Sequence, residues 1–359
     1  MTSPVSWAPD GTPHSTRFDD VYRSRGFHGH DRGLLQARHV FLQGCGLWAP
    51  TEGERAWHGH GHWHVLETGF GLGLNFLATW QAWAEDPQAC GQLWFVSIER
   101  HPVPLEAAKR ALSAYAGTVL DDKARALLEV WPAASPDGFR AHFAADRVVL
   151  QVLHGDVGQV LSDWPVQADA LYLDGFSPRH NPEMWSPSVF KALARRVGPG
   201  CTAASWSADQ AVSDGLVQAG FEVSREPGFA QERWRLRAHL TRPAAAAAVG
   251  RDRAADQAPW QPGSPPVVVI GAGLAGAACA LGLSMAGVPT LVLDRAAQPA
   301  QGASGNPAGL FHGVLHPEDG AHARLGRAAA GTNAGQPAVL FQRFLDARIE
   351  GADLVDLLG

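Results

Sequence analysis

Apolar residues along this chain form short continuous runs, and small or acidic residues follow each run. The run at 65–66 passes into alternating glycines at 69–73, and apolar side chains at helical spacing follow at 76–83. This order predicts a buried strand, a tight loop and a helix, which together form the opening unit of a nucleotide-binding α/β sheet.

Further apolar runs, at 92–99, 146–156 and 168–173, predict parallel strands of the same sheet. Strands that are buried on both faces show continuous apolar runs rather than alternation with polar residues. Residues 190–197 predict a helix, and the glycine and proline residues at 198–200 should stop it.

A second strand–loop–helix pattern begins at 267–270, after a linker rich in proline and alanine. Gly271, Gly273 and Gly276 form a G-x-G-x-x-G motif, and the next apolar run ends at Asp294. This context predicts a dinucleotide site, with a pyrophosphate at the helix N-terminus and Asp294 on a ribose hydroxyl. Ser304, in a second loop of small residues, is assigned to the same site.

The first glycine loop has a different spacing, Gly69-x-Gly71-x-Gly73 preceded by Glu67, which is typical of S-adenosylmethionine (AdoMet) sites. Glycines let the backbone turn sharply and let a ligand approach it closely. The alternative is a glycine-rich turn that binds nothing. The candidate cofactor residues of this first unit are Glu67, Gly69, Phe70, Gly71, Gly73, Asn75, Glu99, Asp156 and Phe176.

Three acidic residues stand where predicted strands end, at the sheet edge that binds ligands in open α/β sheets. Glu99 is a candidate for ribose hydroxyls, or is a plain carboxylate at a strand end. Asp156 is a candidate for the adenine end of the cofactor. Asp174 is the catalytic candidate by position, and its alternative role is to cap the following turn.

Two other segments carry candidate chemistry. Arginines and aromatics alternate at 17–24 and could stack on bases and neutralise phosphates, or could form a lid that packs on the core. Alternating histidines at 58–64 have no carboxylate or cysteine beside them, so they predict an exposed loop and no metal site.

Composition bounds the possible classes of protein. The 359 residues suffice for two domains. The net charge of -6 gives no global basic field, so any nucleic-acid contact must come from a local patch. The four cysteines are scattered, the N-terminus lacks a secretory leader pattern, and no apolar run approaches the ~20 residues of a membrane span. We therefore expect a cytoplasmic protein with reduced thiols and no membrane partner.

The chain also carries several longer strings: FDDVY (18–22), VFL (40–42), GFGLGLNFL (69–77), DGFSP (174–178), NPEMW (181–185) and GASGN (302–306). Together with the G-x-G-x-x-G motif, these strings resemble the MnmC family of bifunctional enzymes of tRNA 5-methylaminomethyl-2-thiouridine biosynthesis. The resemblance implies an α/β fold: a class I AdoMet-methyltransferase (Rossmann-like) domain, followed by the start of a FAD/NAD(P)-binding Rossmann domain.

The domain bounds that we predict are an N-terminal extension (1–55), a methyltransferase domain (56–241), a linker (242–265), a partial FAD-binding domain (266–330) and a divergent tail (331–359). The residues after Pro265 are fewer than the family's flavin domain needs. We therefore expect a truncated flavin half that holds the adenosine part of FAD without closing a flavin site.

The resemblance implies a two-step modification of the tRNA wobble uridine. A flavin domain removes the carboxymethyl group from 5-carboxymethylaminomethyluridine, and the methyltransferase domain then methylates the exposed amine with AdoMet. The aspartate that matches Asp174 is the catalytic residue in this family. AdoMet and FAD are thus the implied cofactors, and tRNA is the implied partner.

Two alternatives stay open from the residues. The family's basic segments read AVSDG (211–215) and GFAQER (228–233) here, so positive charge is lost. A small-molecule N-methyltransferase, or an AdoMet-binding module without activity, would account for that loss.

Overall fold

The computed structural model describes residues 4–22, 32–51, 53–131, 138–143, 147–162, 167–230, 232–241, 265–285, 288–296, 298–299, 301 and 355–356. The chain divides into two units, Met1–Asp252 and Arg253–Gly359, and each is described by itself. Within the described ranges, no helix has both the length and the apolar character needed to cross a membrane.

The first unit alternates strands and helices, as the apolar pattern predicts. Its strands are β1 (Val5–Trp7), β2 (Pro13–Ser15), β3 (Asp20–Val21), β4 (His62–Thr68), β5 (Gln92–Glu99), β6 (Phe139–Phe143), β7 (Val148–His154), β8 (Ala168–Leu173), β9 (Val197–Ser205), β10 (Phe221–Pro227) and β11 (Trp234–Leu240). Its α-helices are α1 (Arg32–Ala37), α2 (Leu74–Glu85), α3 (Leu105–Leu112), α4 (Asp121–Glu129), α5 (Val157–Ser162), α6 (Pro187–Ala194) and α7 (Gln210–Gln218). A π-helix (Arg38–Leu42) follows α1, and 3-10 turns lie at Ser113–Tyr115 and Pro182–Trp185.

Eight strands form the main sheet, in the order β10-β11-β9-β8-β4-β5-β7-β6. The five central strands β9, β8, β4, β5 and β7 run parallel, while β6, β11 and β10 pair antiparallel at the two sides. The order runs outward in both directions from β4, so this sheet has a topological switch point beside β4. Ligands of open α/β sheets bind in the crevice that such a point creates.

The central strands are apolar on both faces because each face packs against a separate core. Along β4, Val65 belongs to the core on one face and Leu66 to the core on the other. Along β5, Phe95 and Val96 divide in the same way. Successive side chains of a strand point to opposite faces, so these continuous apolar runs are what a doubly covered sheet requires.

The predicted helix at 190–197 is wrong at its C-terminal end. Helix α6 already ends at Ala194, and Val197 begins β9. The pairing of β9 with β8 shifts register here, from Val197 opposite Ala168 to Thr202 opposite Ala170. The residues at 198–200 are therefore absorbed as an irregularity within the strand, a position where glycine and proline are tolerated.

The second unit has one strand–helix–strand repeat in its described part. Strand β12 (Val267–Ile270), helix α8 (Leu274–Met285) and strand β13 (Thr290–Asp294) follow one another, and β13 also pairs with β14 (Val355–Asp356). Both pairings are parallel. Apolar side chains of the loop, of α8 and of β13 form a small core at Ala272, Ala280 and Val292. The predicted order of strand, glycine loop, helix and acid-ended strand is confirmed.

The contact between α6 and α7 allows a test of the packing in the first unit. An added Cβ at Gly215 would lie 2.3 Å from Cδ2 of Phe190, which is buried. We expect Gly215→Ala to destabilise the unit by about 1–3 kcal/mol, because the buried ring must move. Urea-unfolding midpoints would measure this change. Val217→Ala, at an exposed position of α7, is the control and should change stability by less than about 0.5 kcal/mol. Equal midpoints for Gly215→Ala and the wild type would contradict the packing.

Candidate active site

A glycine-rich loop turns the chain from β4 into α2. Gly69, Gly71 and Gly73 have φ angles of 92°, 51° and 74°, in the region that favours glycine. At Gly73 an added Cβ would also lie 2.9 Å from Cδ2 of Leu127. Both the backbone conformation of this loop and the spacing of its glycines are therefore typical of a turn that a ligand can approach.

A cavity of about 770 Å³ opens at the carboxyl edge of the parallel strands. Its walls come from the glycine loop, the ends of β5 and β7, the loop after β8 and the N-terminal strands. The predicted site residues that line it are Gly69, Phe70, Gly71, Asn75, Glu99, Asp156, Asp174 and Phe176. Gly73 and Glu67 are not among its lining residues: Gly73 is the N-cap of α2, and Glu67 is buried near the end of β4.

Asp174 follows β8, and its half-buried carboxylate is held from two sides. Its Oδ1 accepts a hydrogen bond from the Gly175 N–H at 2.7 Å, and its Oδ2 accepts one from Nδ2 of Asn75 at 2.7 Å. Burial raises the pKa of Asp174 to about 6, although both hydrogen bonds oppose that rise. The carboxylate is therefore mostly ionised at neutral pH and able to accept a proton.

Glu67 is only 1% exposed and lies at the C-terminal end of β4. Its Oε1 accepts a hydrogen bond from Nδ2 of Asn75 at 2.8 Å, and its Oε2 accepts one from the Ser97 hydroxyl at 2.7 Å. Burial, and next the charge of Asp174, raise the pKa of Glu67 to about 8. Its role as a cofactor ligand stays a prediction.

Glu99 and Asp156 lie at the tips of two neighbouring strands. Glu99 accepts hydrogen bonds from the Gly71 N–H at 2.9 Å and from the His101 N–H at 2.7 Å. Asp156 accepts one from the Gly158 N–H at 2.9 Å. Both acids face the same cavity as the glycine loop. Their roles toward ribose and adenine stay predictions, and this arrangement of glycines and acids fits AdoMet.

The N-terminal strands add a wall to the cavity. The Phe18 ring stacks on Phe176 with centroids 4.7 Å apart, and Tyr22 meets Phe176 edge-on at 5.1 Å. Oδ2 of Asp20 accepts a hydrogen bond from the Ser177 N–H at 2.9 Å. Of the two interpretations of this segment, these contacts favour a lid that packs its aromatics on the core.

Sequence reasoning missed Trp206 and His180, which line the cavity. Nε1 of Trp206 donates to the Gly175 carbonyl at 3.1 Å. Trp206 directly follows β9, so the rule that located the strand-end acids would have found it. No comparable signal marks His180, which lies within a loop.

The predicted exposed loop at 58–64 is wrong over 62–64, because His62 and His64 lie in β4. Nε2 of His58 lies 2.7 Å from Oδ2 of Asp86, and the ring of His62 meets His64 edge-on at 5.1 Å. Among the residues that the structure describes, no group of three or more His, Cys, Asp or Glu side chains could hold a metal ion.

The dinucleotide motif of the second unit has matching local geometry. Gly271 has a φ of 105°, and an added Cβ at Gly276 would lie against the Gly271 carbonyl oxygen. Gly273 accepts a hydrogen bond from the Ala277 N–H at 2.9 Å in the first turn of α8. Asp294 accepts the Ala272 N–H at 2.6 Å, and such backbone hydrogen bonds lower the pKa of its carboxyl. These residues fit the adenosine and pyrophosphate part of FAD. Ser304 lies outside the described residues.

Two protein families match this chain. The S-adenosyl-L-methionine-dependent methyltransferase family matches residues 119–241. The FAD dependent oxidoreductase family matches residues 266–345. The first match implies AdoMet as a cofactor and the second implies FAD, and the predicted α/β class with these two domain types in this order is confirmed.

Curated relatives share one name, tRNA 5-methylaminomethyl-2-thiouridine biosynthesis bifunctional protein MnmC. The protein from Methylibium petroleiphilum is 47% identical over 327 residues, which cover 91% of this chain and 47% of that protein. The chain is a relative of the MnmC proteins. The protein from Paracidovorax citrulli is 42% identical and covers 91% of this chain and 49% of its own length. The chain thus spans about half the length of the curated relatives it matches.

One solved structure, MNMC2 from Aquifex aeolicus, matches 68% of this chain and 71% of its own, at 21% identity and a TM-score of 0.49. At this TM-score the structural likeness adds nothing to what the sequence relatives show.

The raised pKa of Glu67 predicts a pH-dependent stability. A protonated Glu67 favours the folded state, and this contribution is lost as pH rises from the ordinary value of 4.5 through about 8. Glu67→Gln keeps the shape of the side chain and cannot ionise, so we expect its free energy of unfolding at pH 5 to be close to that of the wild type. At pH 8 the first unit should be more stable in Glu67→Gln by about 3 kcal/mol.

Calorimetric unfolding at both pH values would measure this difference. Glu106→Gln replaces an exposed acid on α3 and is the control for the loss of one carboxyl group. An equal effect of Glu67→Gln at both pH values would contradict the raised pKa.

Proposed function

We propose that the first unit transfers a methyl group from AdoMet to the primary amine of 5-aminomethyl-2-thiouridine at the wobble position of tRNA. The product would be 5-methylaminomethyl-2-thiouridine. The observation that carries the proposal is that Asp174 and the AdoMet-type glycine loop line one cavity. The chain is also 47% identical to a protein named for the biosynthesis of this nucleoside.

The residues of the cavity divide into two groups by their chemistry. The glycine loop and Glu99 would hold the methionine and ribose parts of AdoMet, and Asp156 would hold the adenine end. Bound AdoMet supplies an activated methyl group on a sulfonium sulfur. Aromatic rings at Phe18 and Phe176 keep water from one wall of the cavity.

Asp174 acts on the acceptor amine. An amine is protonated in water at neutral pH, and only its free base has a lone pair for attack. The Asp174 carboxylate would orient the ammonium group and accept its proton, which leaves the lone pair aimed at the methyl carbon. The hydrogen bonds from Asn75 and Gly175 fix both carboxylate oxygens, so the orientation of this base is set before the substrate binds.

tRNA is the proposed partner, and the cytoplasm is the proposed location, because the chain must meet its substrate there. A net charge of -6 requires a local basic patch. Arg17, Arg100 and His101 line the cavity. The His101 ring lies 5.6 Å from that of Phe18, and Arg100 is paired with Glu183 at 2.9 Å. The three basic side chains could contact phosphates while an aromatic ring stacks on a base.

We also propose that the second unit binds the adenosine part of FAD and belongs to an oxidative step that exposes the amine. The match of residues 266–345 to FAD dependent oxidoreductases supports this. The positive φ of Gly271 and the close approach of Gly276 support it too. Titration of the purified chain with FAD, followed by flavin fluorescence, tests it: Gly276→Val should abolish binding if the loop is the site.

Asp174→Asn tests the catalytic role. We expect turnover to fall by about 10²–10⁴-fold because the amide cannot accept the ammonium proton. The Kd for AdoMet, measured by calorimetry, should change by less than about threefold, since the amide keeps the shape of the carboxylate. Glu106→Gln, an exposed acid-to-amide change on α3, is the control. Turnover near that of the wild type would eliminate Asp174 as the base.

Mass analysis of wobble nucleosides tests the substrate. Undermodified tRNA would be incubated with the chain and AdoMet, with and without FAD. We expect 5-methylaminomethyl-2-thiouridine to form from the amine-bearing tRNA without added FAD. Methylation of free small amines with no methylation of tRNA would instead identify a small-molecule N-methyltransferase.

A further inference from the structure

We propose that Glu67 is a positioning residue for Asp174 and that it acts through the side-chain amide of Asn75. This inference rests on the proposed role of Asp174 in methyl transfer. It assigns Glu67 a function beneath the cavity rather than contact with the cofactor.

The geometry that carries the proposal is a chain of three hydrogen bonds. Nδ2 of Asn75 donates to Oε1 of Glu67 at 2.8 Å and to Oδ2 of Asp174 at 2.7 Å. The Ser97 hydroxyl donates to the other oxygen of Glu67 at 2.7 Å. One amide nitrogen has two hydrogens in a fixed plane, so each carboxyl group receives one of them.

The bond to Glu67 determines which way the amide points. With Glu67 in place, an amide N–H faces Asp174. If the amide turned over, its carbonyl oxygen would face the ionised carboxylate of Asp174, and that carboxylate would lose the N–H from Asn75. An N–H that faces Asp174 favours the ionised form of its carboxyl, which is the form that accepts a proton from the substrate.

Glu67 is suited to this task by its place in the fold. It is 1% exposed and is absent from the cavity wall, whereas Asn75 and Asp174 both line the cavity. A residue on the strand beside β8 can therefore influence the reacting carboxylate without occupying space that the substrate needs.

Other ionisable groups lie near this pair and must be separated from it in any titration. Glu99 and Tyr172 interact electrostatically with Glu67 or Asp174. Further ionisable groups line the cavity, and these are Arg17, Asp20, Tyr22, Arg100, His101, Asp156, His180, Glu183 and Glu232. With this many ionisable groups at the cavity, a pH profile of turnover alone cannot isolate Asp174.

The deciding measurement is a carboxyl NMR titration of Asp174 in the full chain, with ¹³C-labelled aspartate. Glu67→Met removes the acceptor and keeps the side-chain length. We expect it to raise the pKa of Asp174 by about one unit, because the hydrogen bond from Asn75 to the ionised carboxylate of Asp174 weakens. Glu67→Gln keeps an acceptor for Asn75 and should restore the wild-type value. An unchanged titration of Asp174 in Glu67→Met would overturn the proposal.

A control separates this effect from loss of stability. The Thr79 hydroxyl bonds to the Asn75 carbonyl and to Tyr172 in the same buried region. Thr79→Val should lower the stability of the unit and leave the pKa of Asp174 unchanged. If Glu67→Met does not fold, Glu67→Asp retracts the acid by one methylene, and its Asp174 titration then decides the question by the same criterion.

Turnover gives a second readout. The acid limb of the pH–rate profile should move to higher pH in Glu67→Met, with the Kd for AdoMet within about threefold of the wild type. If the wild-type chain methylates neither tRNA nor free amines, the proposed function fails. The NMR titration still decides whether Glu67 acts on Asp174, so the two failures are distinguishable.

Discussion

One amide group between two carboxyl groups holds the candidate active site together. The Asn75 side chain donates to Glu67 at the end of β4 and to Asp174 after β8. It therefore connects helix α2 to the two strands on either side of the switch point. Two acids so close together would repel each other if both were ionised, and a shared pair of N–H donors together with a raised pKa makes the arrangement stable.

This arrangement requires the chain to turn tightly above it. A Cβ on Gly69 would lie 3.4 Å from the Gly175 Cα, so the two loops that follow β4 and β8 pass close together. The Thr68 hydroxyl also donates to the Asp174 carbonyl at 2.8 Å. The N-terminal strands then cover the loops, since Asp20 accepts the Ser177 N–H. The cavity is thus built from segments that are far apart along the chain.

Much of the site followed from one rule about parallel strands. Their carboxyl ends meet at one edge, so the acids at the ends of apolar runs, Glu99, Asp156 and Asp174, were expected to converge, and they line one cavity. The rule gave no information about residues 1–55, where no periodic pattern marks the strands. It also failed at 198–200, where glycine and proline break a helix in isolation but are accommodated in β9 because its pairing with β8 shifts register.

The sequence by itself determined the α/β class, the two glycine loops and the acids that follow the strands, because these depend on local periodicity and on backbone freedom. Only the tertiary structure decided where Glu67 lies and which side chains it contacts. Local pattern placed it at the start of a cofactor loop, whereas packing of β4 between β5 and β8 buries it beneath that loop and against Asn75. Burial and hydrogen-bond partners depend on which strands become neighbours, and no stretch of sequence carries that information alone.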